Sequence, residues 1–298
     1  MKEQTDIVVV MPVGPRCRMQ YVSDTIRSLN VHAPERYPVI LIDDSQMGTG
    51  KALQDIFPDQ VVVLPVQKNR GKAGGLYSSL CEAFCYALDH YHFRLVLRMD
   101  TDALVIGQDP AAEALAYFDL HPETGMAGSY ISRRFAPDGF GNMQDNAYPR
   151  NTLLVGTCTW KFIRRPRVNW TLRKLMFRAF LNGYELGENI QGGAYFISCN
   201  CLMLLRQEGL LPLRILSRSI LMEDHLFSLL TRAAGMQLGD LGGSDGPFGC
   251  VWKGLPAAPE SLLQSGKKII HSVRSWKNLD EQEIRLYFKH QRSIQSRL

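Results

Sequence analysis

Short uninterrupted apolar runs recur along the first third of the chain. Each is closed by proline, glycine or an acid, and stretches of helical spacing separate them. The runs DIVVVMPVG (6–14), YPVILIDDS (37–45), QVVVLPV (60–66) and FRLVLRMD (93–100) read as buried strands. Between them, SDTIRSLNVHA, with Ser23 or Asp24 as its cap, GTGKALQDIF and KAGGLYSSLCEAFCYAL (72–88) read as helices. Alternation of apolar strands with helices predicts a parallel sheet covered on both faces. Ligands of such sheets bind at the carboxyl ends of the strands. Three strands deliver polar or turn residues there: Pro12 to Gly14, Asp43 with Asp44, and Asp100 with Asp102.

Beyond Asp102 the pattern loosens. DPAAEALAYFDLHP (109–122) predicts a helix, GMAGSYISRRF (125–135) a strand, and 136–152 a loop. WKFIRRPRVNWTLRKLMFRAFLNGY (160–184) mixes cations with aromatics. It reads either as a helix over the core with a solvated basic face or as a surface for an anionic membrane, a lipid-linked acceptor or a partner. GGAYFISCNCLMLL (192–205) predicts a strand behind two glycines. MEDHLFSLLTRAAG (222–235) predicts a helix with acids in its first turn, and EQEIRLYFKHQRSIQSRL (281–298) a basic amphipathic helix.

Length and composition fit an ordinary globular protein: 298 residues, 45% hydrophobic and 21% charged. The formal net charge of +5 favours anionic ligands or an anionic membrane surface but is too small to point to nucleic acid. The N-terminal apolar run is too short for a secretion signal, and no run is long enough to span a membrane. The seven cysteines form no C-x-x-C pair, which indicates neither a zinc ribbon nor a disulfide framework, and predicts reduced thiols in a cytosol. MGTGKAL fails as a phosphate loop, because Ala52 follows Lys51 and Ser45 occupies the first glycine position.

Candidate chemistry gathers at three places. Burying the carboxylates of Asp100 and Asp102 costs several kcal/mol unless something positive is near. Their hard oxygens suit magnesium or manganese bridging to substrate phosphates; the bland alternative is a pair of capping aspartates. Glu223 and Asp224 at a helix start are favoured by its dipole, or one of them is a general base. His271 is either a surface or core histidine or, facing the aspartates, a nitrogen ligand.

Taken in order, VVVMPVG, LIDDSQ, NRGKAGGLYSSL, RMDTD, QGGAYFISCN, MEDHLFSLLTRAAG and KKIIHS resemble the motif series of family 2 glycosyltransferases with the GT-A fold. The match runs over 6–235 and more loosely over 250–275. The resemblance implies an α/β fold of GT-A type, a Rossmann-like mixed sheet flanked by helices with a C-terminal acceptor-side region. It implies one continuous domain, with 1–105 as the nucleotide-sugar-binding half and 106–298 as the acceptor-binding half. Pro12, Val13 and Asp44 would line the base pocket, with Lys72 near the base or phosphates. Asp100 would hold the ribose or metal waters, Asp102 would bind the metal, and His271 would complete its shell. Asp224 would be the base and Glu223 its neighbour positioning acceptor or sugar. Gly192 and Gly193 would let backbone approach the sugar.

The implied activity is transfer of one sugar from a nucleotide-diphosphate donor to a hydroxyl acceptor: a glycan, a lipid-linked molecule or a small molecule. The expected cofactor is manganese or magnesium. The expected location is the cytoplasm or the inner face of the membrane as a peripheral protein. PVGPRC replaces the family's usual P-x-Y-N/E, which leaves the nucleotide base open. Absence of the Q-x-x-R-W segment argues against a processive synthase. Rival readings are a sugar-nucleotide nucleotidyltransferase, a retaining transferase, and a catalytically silent binding module of the same fold.

Overall fold

The computed structural model describes residues 2–132, 150–154 and 163–295. The predicted loop over 136–149, the end of the predicted strand at 133–135 and the first residues of the basic–aromatic segment, 160–162, lie outside the described residues.

The first half runs β1 (Ile7–Val13), α1 (Met19–His32), β2 (Val39–Asp43), α2 (Thr49–Ile56), β3 (Val61–Pro65), α3 (Gly74–His90) and β4 (Leu95–Met99). Then come β5 (Ala103–Val105), α4 (Ala112–Leu120), β6 (Thr124–Ile131), α5 (Pro166–Leu181), β7 (Asn189–Ser198), α6 (Cys199–Gln207) and α7 (Glu223–Ala233). The chain closes with β8 (Gln237–Asp240), β9 (Phe248–Cys250), α8 (Pro259–Gln264), β10 (Ile269–His271) and α9 (Glu281–Gln295).

A seven-stranded sheet in the order β8-β6-β7-β4-β1-β2-β3 forms the centre. Strands β1 to β4 pair in parallel, as the alternating apolar runs predict. Strand β7 runs antiparallel between β4 and β6, so the sheet is mixed. Side chains of a strand alternate between faces, and β1 shows why its run is continuously apolar. Ile7, Val9, Met11 and Val13 enter one buried cluster, with α1 and α2. Val8 and Val10 enter the other, with α3, α5 and α7. A smaller sheet, β9-β10-β5, hangs a third cluster of Leu104, Ile270, Ile284 and Phe288 beside the first two.

Two predicted elements need correction, and the helix read in the basic–aromatic segment is present. Helix α1 starts at Met19 behind Arg18, so Ser23 and Asp24 lie inside it and cap nothing. Asp24 instead pairs with Arg285 and Arg292 of α9. The predicted strand at 192–205 is a strand only to Ser198, and Cys199 onwards is α6. Ser198 causes the switch: its side chain accepts a hydrogen bond from Cys201 N, capping the new helix. The basic–aromatic segment forms α5, which buries Val168, Leu172, Leu175, Met176 and Ala179. Its outer side exposes Trp170, Phe177, Phe180 and Leu181 beside Arg173 and Lys174, so that side is both cationic and apolar. Among the described residues no helix is long and apolar enough to cross a membrane.

His32, in the last turn of α1, predicts a pH-dependent stability. Its side chain is 1% exposed, and among the described residues neither ring nitrogen has a hydrogen-bond partner. Burial, helped by the Arg292 charge, lowers its pKa to about 4. The unfolded chain therefore takes up a proton near pH 6.5, where the folded chain does not. This contribution is complete above pH about 6.5 and is lost as pH falls towards 4, for a total of about 3 kcal/mol. Urea unfolding of the parent and His32→Leu across that window should show a smaller pH slope in the variant. Equal slopes would remove His32 from the account.

Candidate functional site

Parallel pairing of β1, β2 and β4 brings their carboxyl ends to one edge, and antiparallel β7 begins at that same edge. Asp43 and Asp44, adjacent in sequence, part ways there. Asp43 is buried and structural: its carboxylate accepts from Ser45 N (3.0 Å) and Gly50 N (2.8 Å), tying β2 to α2. Asp44 is half-buried. Its backbone N donates to Val13 O (2.9 Å), and its carboxylate accepts from Arg70 N (3.2 Å) and Gln46 Nε2 (3.3 Å). Pro12, Val13 and Asp44 thus share one corner, reached by the loop that carries Lys72. Lys72 itself is exposed.

The Asp100-Thr101-Asp102 turn joins β4 to β5. Asp100 N donates to Gly193 O (2.7 Å), and Ala103 N to Asp100 O (3.1 Å). Thr101 O accepts from Thr25 Oγ1 (2.9 Å) and from Arg285 Nη2 (2.8 Å). The last helix of the chain therefore braces the turn from behind, a role that its position in the sequence gave no sign of.

Asp100, Asp102 and His271 each offer one ligand atom, all within 4.8 Å of one another. His271 lies at the end of β10. Its Nδ1 is 2.9 Å from Val251 O, which turns Nε2 towards Asp102 (3.5 Å) and Asp100 (3.7 Å). A ligating histidine held by a carbonyl through its other nitrogen is the usual supporting arrangement. Two carboxylate oxygens and one imidazole nitrogen fit a small divalent cation that retains waters or substrate oxygens.

The charges next to these aspartates are also protein cations. Asp102 accepts from Ser272 Oγ and pairs with Arg274 Nε, both at 2.8 Å. Burial alone would raise its carboxyl. The hydrogen bond and charge of His271, with Arg274 and Ser272, outweigh burial and hold it well below the ordinary carboxylate range. The Arg274 side chain is 70% exposed, so it can leave Asp102 when another cation arrives.

The sequence reading missed Arg98. It sits on β4, 1% exposed, and its Nη2 donates to Asp100 Oδ1 (2.9 Å) and Glu223 Oε1 (2.8 Å). Its guanidinium lies 5.5 Å from the ring centre of Tyr195, its register partner on β7. Burial alone would lower its pKa, but the carboxylates of Asp100 and Glu223 outweigh this and keep it charged. A visible signal existed: an arginine inside an otherwise apolar strand just before two acids. Glu223 is 3% exposed, and burial pushes its carboxyl up to about 7, with Arg98 pulling the other way.

Asp224 opens α7 and is 9% exposed. Its Oδ2 accepts from Gly192 N (2.8 Å) and its Oδ1 from His225 N (2.9 Å). Ser228 Oγ donates to Asp224 O (2.7 Å) and accepts from Ile190 N (3.0 Å), locking this turn to β7. The two glycines are explained by these neighbours. A Cβ on Gly192 would lie 2.9 Å from the Asp224 carboxylate, and one on Gly193 2.4 Å from the His271 ring. Gly193 also has φ +100°, which side chains rarely allow. Adjacent glycines thus let the acid of α7 and the histidine of β10 press on one short stretch of β7.

The chain is similar to several solved structures. One is the mannosyltransferase PcManGT from Pyrobaculum calidifontis in complex with GDP-Man and Mn2+, with 16% identity, 78% of this chain and 54% of that chain covered, and a TM-score of 0.46. Another is S. aureus TarS 1–349 in complex with UDP-GlcNAc, with 13% identity, 88% and 64% covered, and a TM-score of 0.45. The same protein in complex with UDP gives 14% identity, 88% and 63% covered, and a TM-score of 0.44. The chain therefore spans about half to two thirds of the length of these proteins. No protein-family profile matches it, and no curated protein matches it in sequence.

Proposed function

We propose that the chain is a metal-dependent glycosyltransferase. It moves one sugar from a nucleotide-diphosphate donor to a hydroxyl of a glycan, lipid-linked or small-molecule acceptor. The supporting observation is the placement of Asp100, Asp102 and His271 within 4.8 Å of one another, with Asp224 held on the neighbouring Gly192. Residues 1–105 bind the donor nucleotide: Pro12, Val13, Asp44 and Lys72 hold the base end. Residues 106–298 supply the acceptor side.

Asp100, Asp102 and His271 would hold a manganese or magnesium ion, which would neutralise charge developing on the departing nucleoside diphosphate. The chain's own groups do the rest. Asp224 takes the proton of the attacking hydroxyl, oriented for this by Gly192 N and His225 N. Glu223, tied to Arg98, holds the start of α7 in register with Asp100. Attack from the face opposite the leaving group is a single displacement and inverts the anomeric carbon. No part of this requires a membrane span, and the outer side of α5 offers peripheral contact at the inner face of a membrane.

A thermal-shift panel tests the reading: uridine, guanosine, cytidine, adenosine and thymidine diphosphates, each with manganese and with chelator. A ligand at about 100 times its dissociation constant adds about 2.7 kcal/mol to the native state. One nucleotide should raise the melting temperature, and only with manganese. No shift under any condition would leave the silent binding module as the better account. A shift with nucleoside triphosphates and sugar phosphates, but not diphosphates, would favour the nucleotidyltransferase.

A further inference from the structure

A second feature stands apart from the aspartate–histidine cluster. A crevice of about 920 Å³ opens between the loop before α3, the start of α5 and the segment leading into α7. Arg70, Lys72, Arg164, Arg165, Arg167 and Arg218 line it, and among the described residues no carboxylate does. The formal excess of the whole chain is +5, so six cations in one crevice is a strong concentration. Arg70 is paired with Glu82 at 2.7 Å. Lys72, given to the donor above, also lines the crevice, so the acceptor assignment rests on Arg164, Arg165, Arg167 and Arg218; of these, Arg167 and Arg218 have no carboxylate partner among the described residues. The walls are tied together: Gly74 N donates to Ser219 O (3.2 Å), and Arg165 Nη1 to Arg218 O (2.5 Å).

Massed like charges repel, and an anion relieves that repulsion. Guanidinium groups present a planar fork that matches phosphate oxygens, which makes arginine-rich crevices phosphate sites by geometry as well as charge. The place of the crevice says which phosphate. Met222 lines it, and Met222 directly precedes Glu223 and Asp224. The donor diphosphate is accounted for at Asp100, Asp102 and His271. One wall of the crevice thus ends one residue before α7, the helix that carries the proposed general base.

We propose that this crevice holds a phosphate or phosphodiester group of the acceptor, so that the acceptor is an anionic, phosphate-bearing molecule. The inference rests on the transferase reading above. It adds the acceptor's chemical class, for which the aspartate–histidine cluster gives no indication.

The test is titration of inorganic pyrophosphate into the full chain in chelator, so that no metal-held diphosphate contributes. Arg167→Gln combined with Arg218→Gln removes two exposed cations and leaves every residue of the Asp100 cluster in place. Pyrophosphate should bind the parent and bind the double variant at least ~10-fold more weakly. The nucleoside diphosphate with manganese should bind both within ~2-fold. Sedimentation with phosphatidylcholine vesicles, with and without phosphatidic acid, separates the sources. Retention on phosphatidic acid vesicles that the double variant loses puts the phosphate on a lipid. Pyrophosphate binding without such retention puts it on a water-borne acceptor.

Equal pyrophosphate affinity in parent and double variant would overturn the proposal, as would a parent that binds neither probe. If nucleotide–manganese binding falls in step with pyrophosphate, the crevice belongs to the donor and the proposal fails. Pyrophosphate binding by a parent that takes no nucleotide would sink the transferase reading, and the acceptor assignment with it, leaving an anion site of another activity.

Discussion

Asp102→Asn should abolish metal-dependent nucleotide stabilisation and lower the transfer rate about 10³-fold, a loss of about 4 kcal/mol of transition-state stabilisation. The substitution changes shape little. It keeps an oxygen for Ser272 Oγ and Arg274 Nε, both 2.8 Å away, but removes the negative charge. With His271 Nε2 at 3.5 Å, the loss of that charge removes what makes the cluster a cation site rather than a hydrogen-bonded turn. Asp224→Asn is the control. It should leave nucleotide binding as in the parent and lower turnover by about 10²- to 10⁴-fold, the usual contribution of a general base. Binding and turnover thus separate the two carboxylates. If Asp102→Asn is still stabilised by nucleotide only with manganese, Asp102 is not a ligand and the cluster loses its assignment.

The second large effect is on folding. Arg98→Met should destabilise the protein by about 3–5 kcal/mol, because Glu223 is then left buried without its cation. The charge of Arg98 is shared between two carboxylates, while its Nε and Nη1 have no hydrogen-bond partner among the described residues, and the Tyr195 ring offers only a weak substitute. The bonds at Nη2 therefore carry the arrangement. With Arg98 absent, burial would leave Glu223 protonated at neutral pH, since it already raises that carboxyl to about 7 with Arg98 present. Adding Glu223→Gln to Arg98→Met should recover part of the loss, because no buried carboxyl then has to take up a proton in order to stay folded. Urea unfolding of the four proteins of the cycle measures this. A loss under about 1 kcal/mol for Arg98→Met would mean that Glu223 is already neutral, and that Arg98 serves Asp100 alone.

Much of the fold was legible because its causes are local. The runs before Pro12 and Asp43 are apolar throughout, and the strand before Asp100 is apolar but for Arg98, because both faces of those strands are covered, and β1 to β4 appear where the runs predicted them. Errors came where local patterns were ambiguous. Ser23 and Asp24 resemble a cap, but α1 starts at Met19 and uses Asp24 to anchor α9. The apolar run after Ser198 suits a strand or a helix equally, and the hydroxyl of Ser198 selects the helix.

The sequence by itself determined the alternation of strands and helices, the delivery of Asp44, Asp100 and Asp102 to one edge, and the candidacy of Glu223, Asp224 and His271. These follow from spacing and hydropathy, which act over a few residues. Only the tertiary structure decided that His271 faces Asp102 across 168 intervening positions, and that Arg98 bridges Asp100 to Glu223. The tertiary structure also decided that Arg285 braces Thr101 and that Gly192 and Gly193 make room for Asp224 and His271. Such contacts depend on how distant strands register and on which side chains share a buried volume. A charge placed in an apolar strand has no meaning in one dimension until the fold supplies its partners.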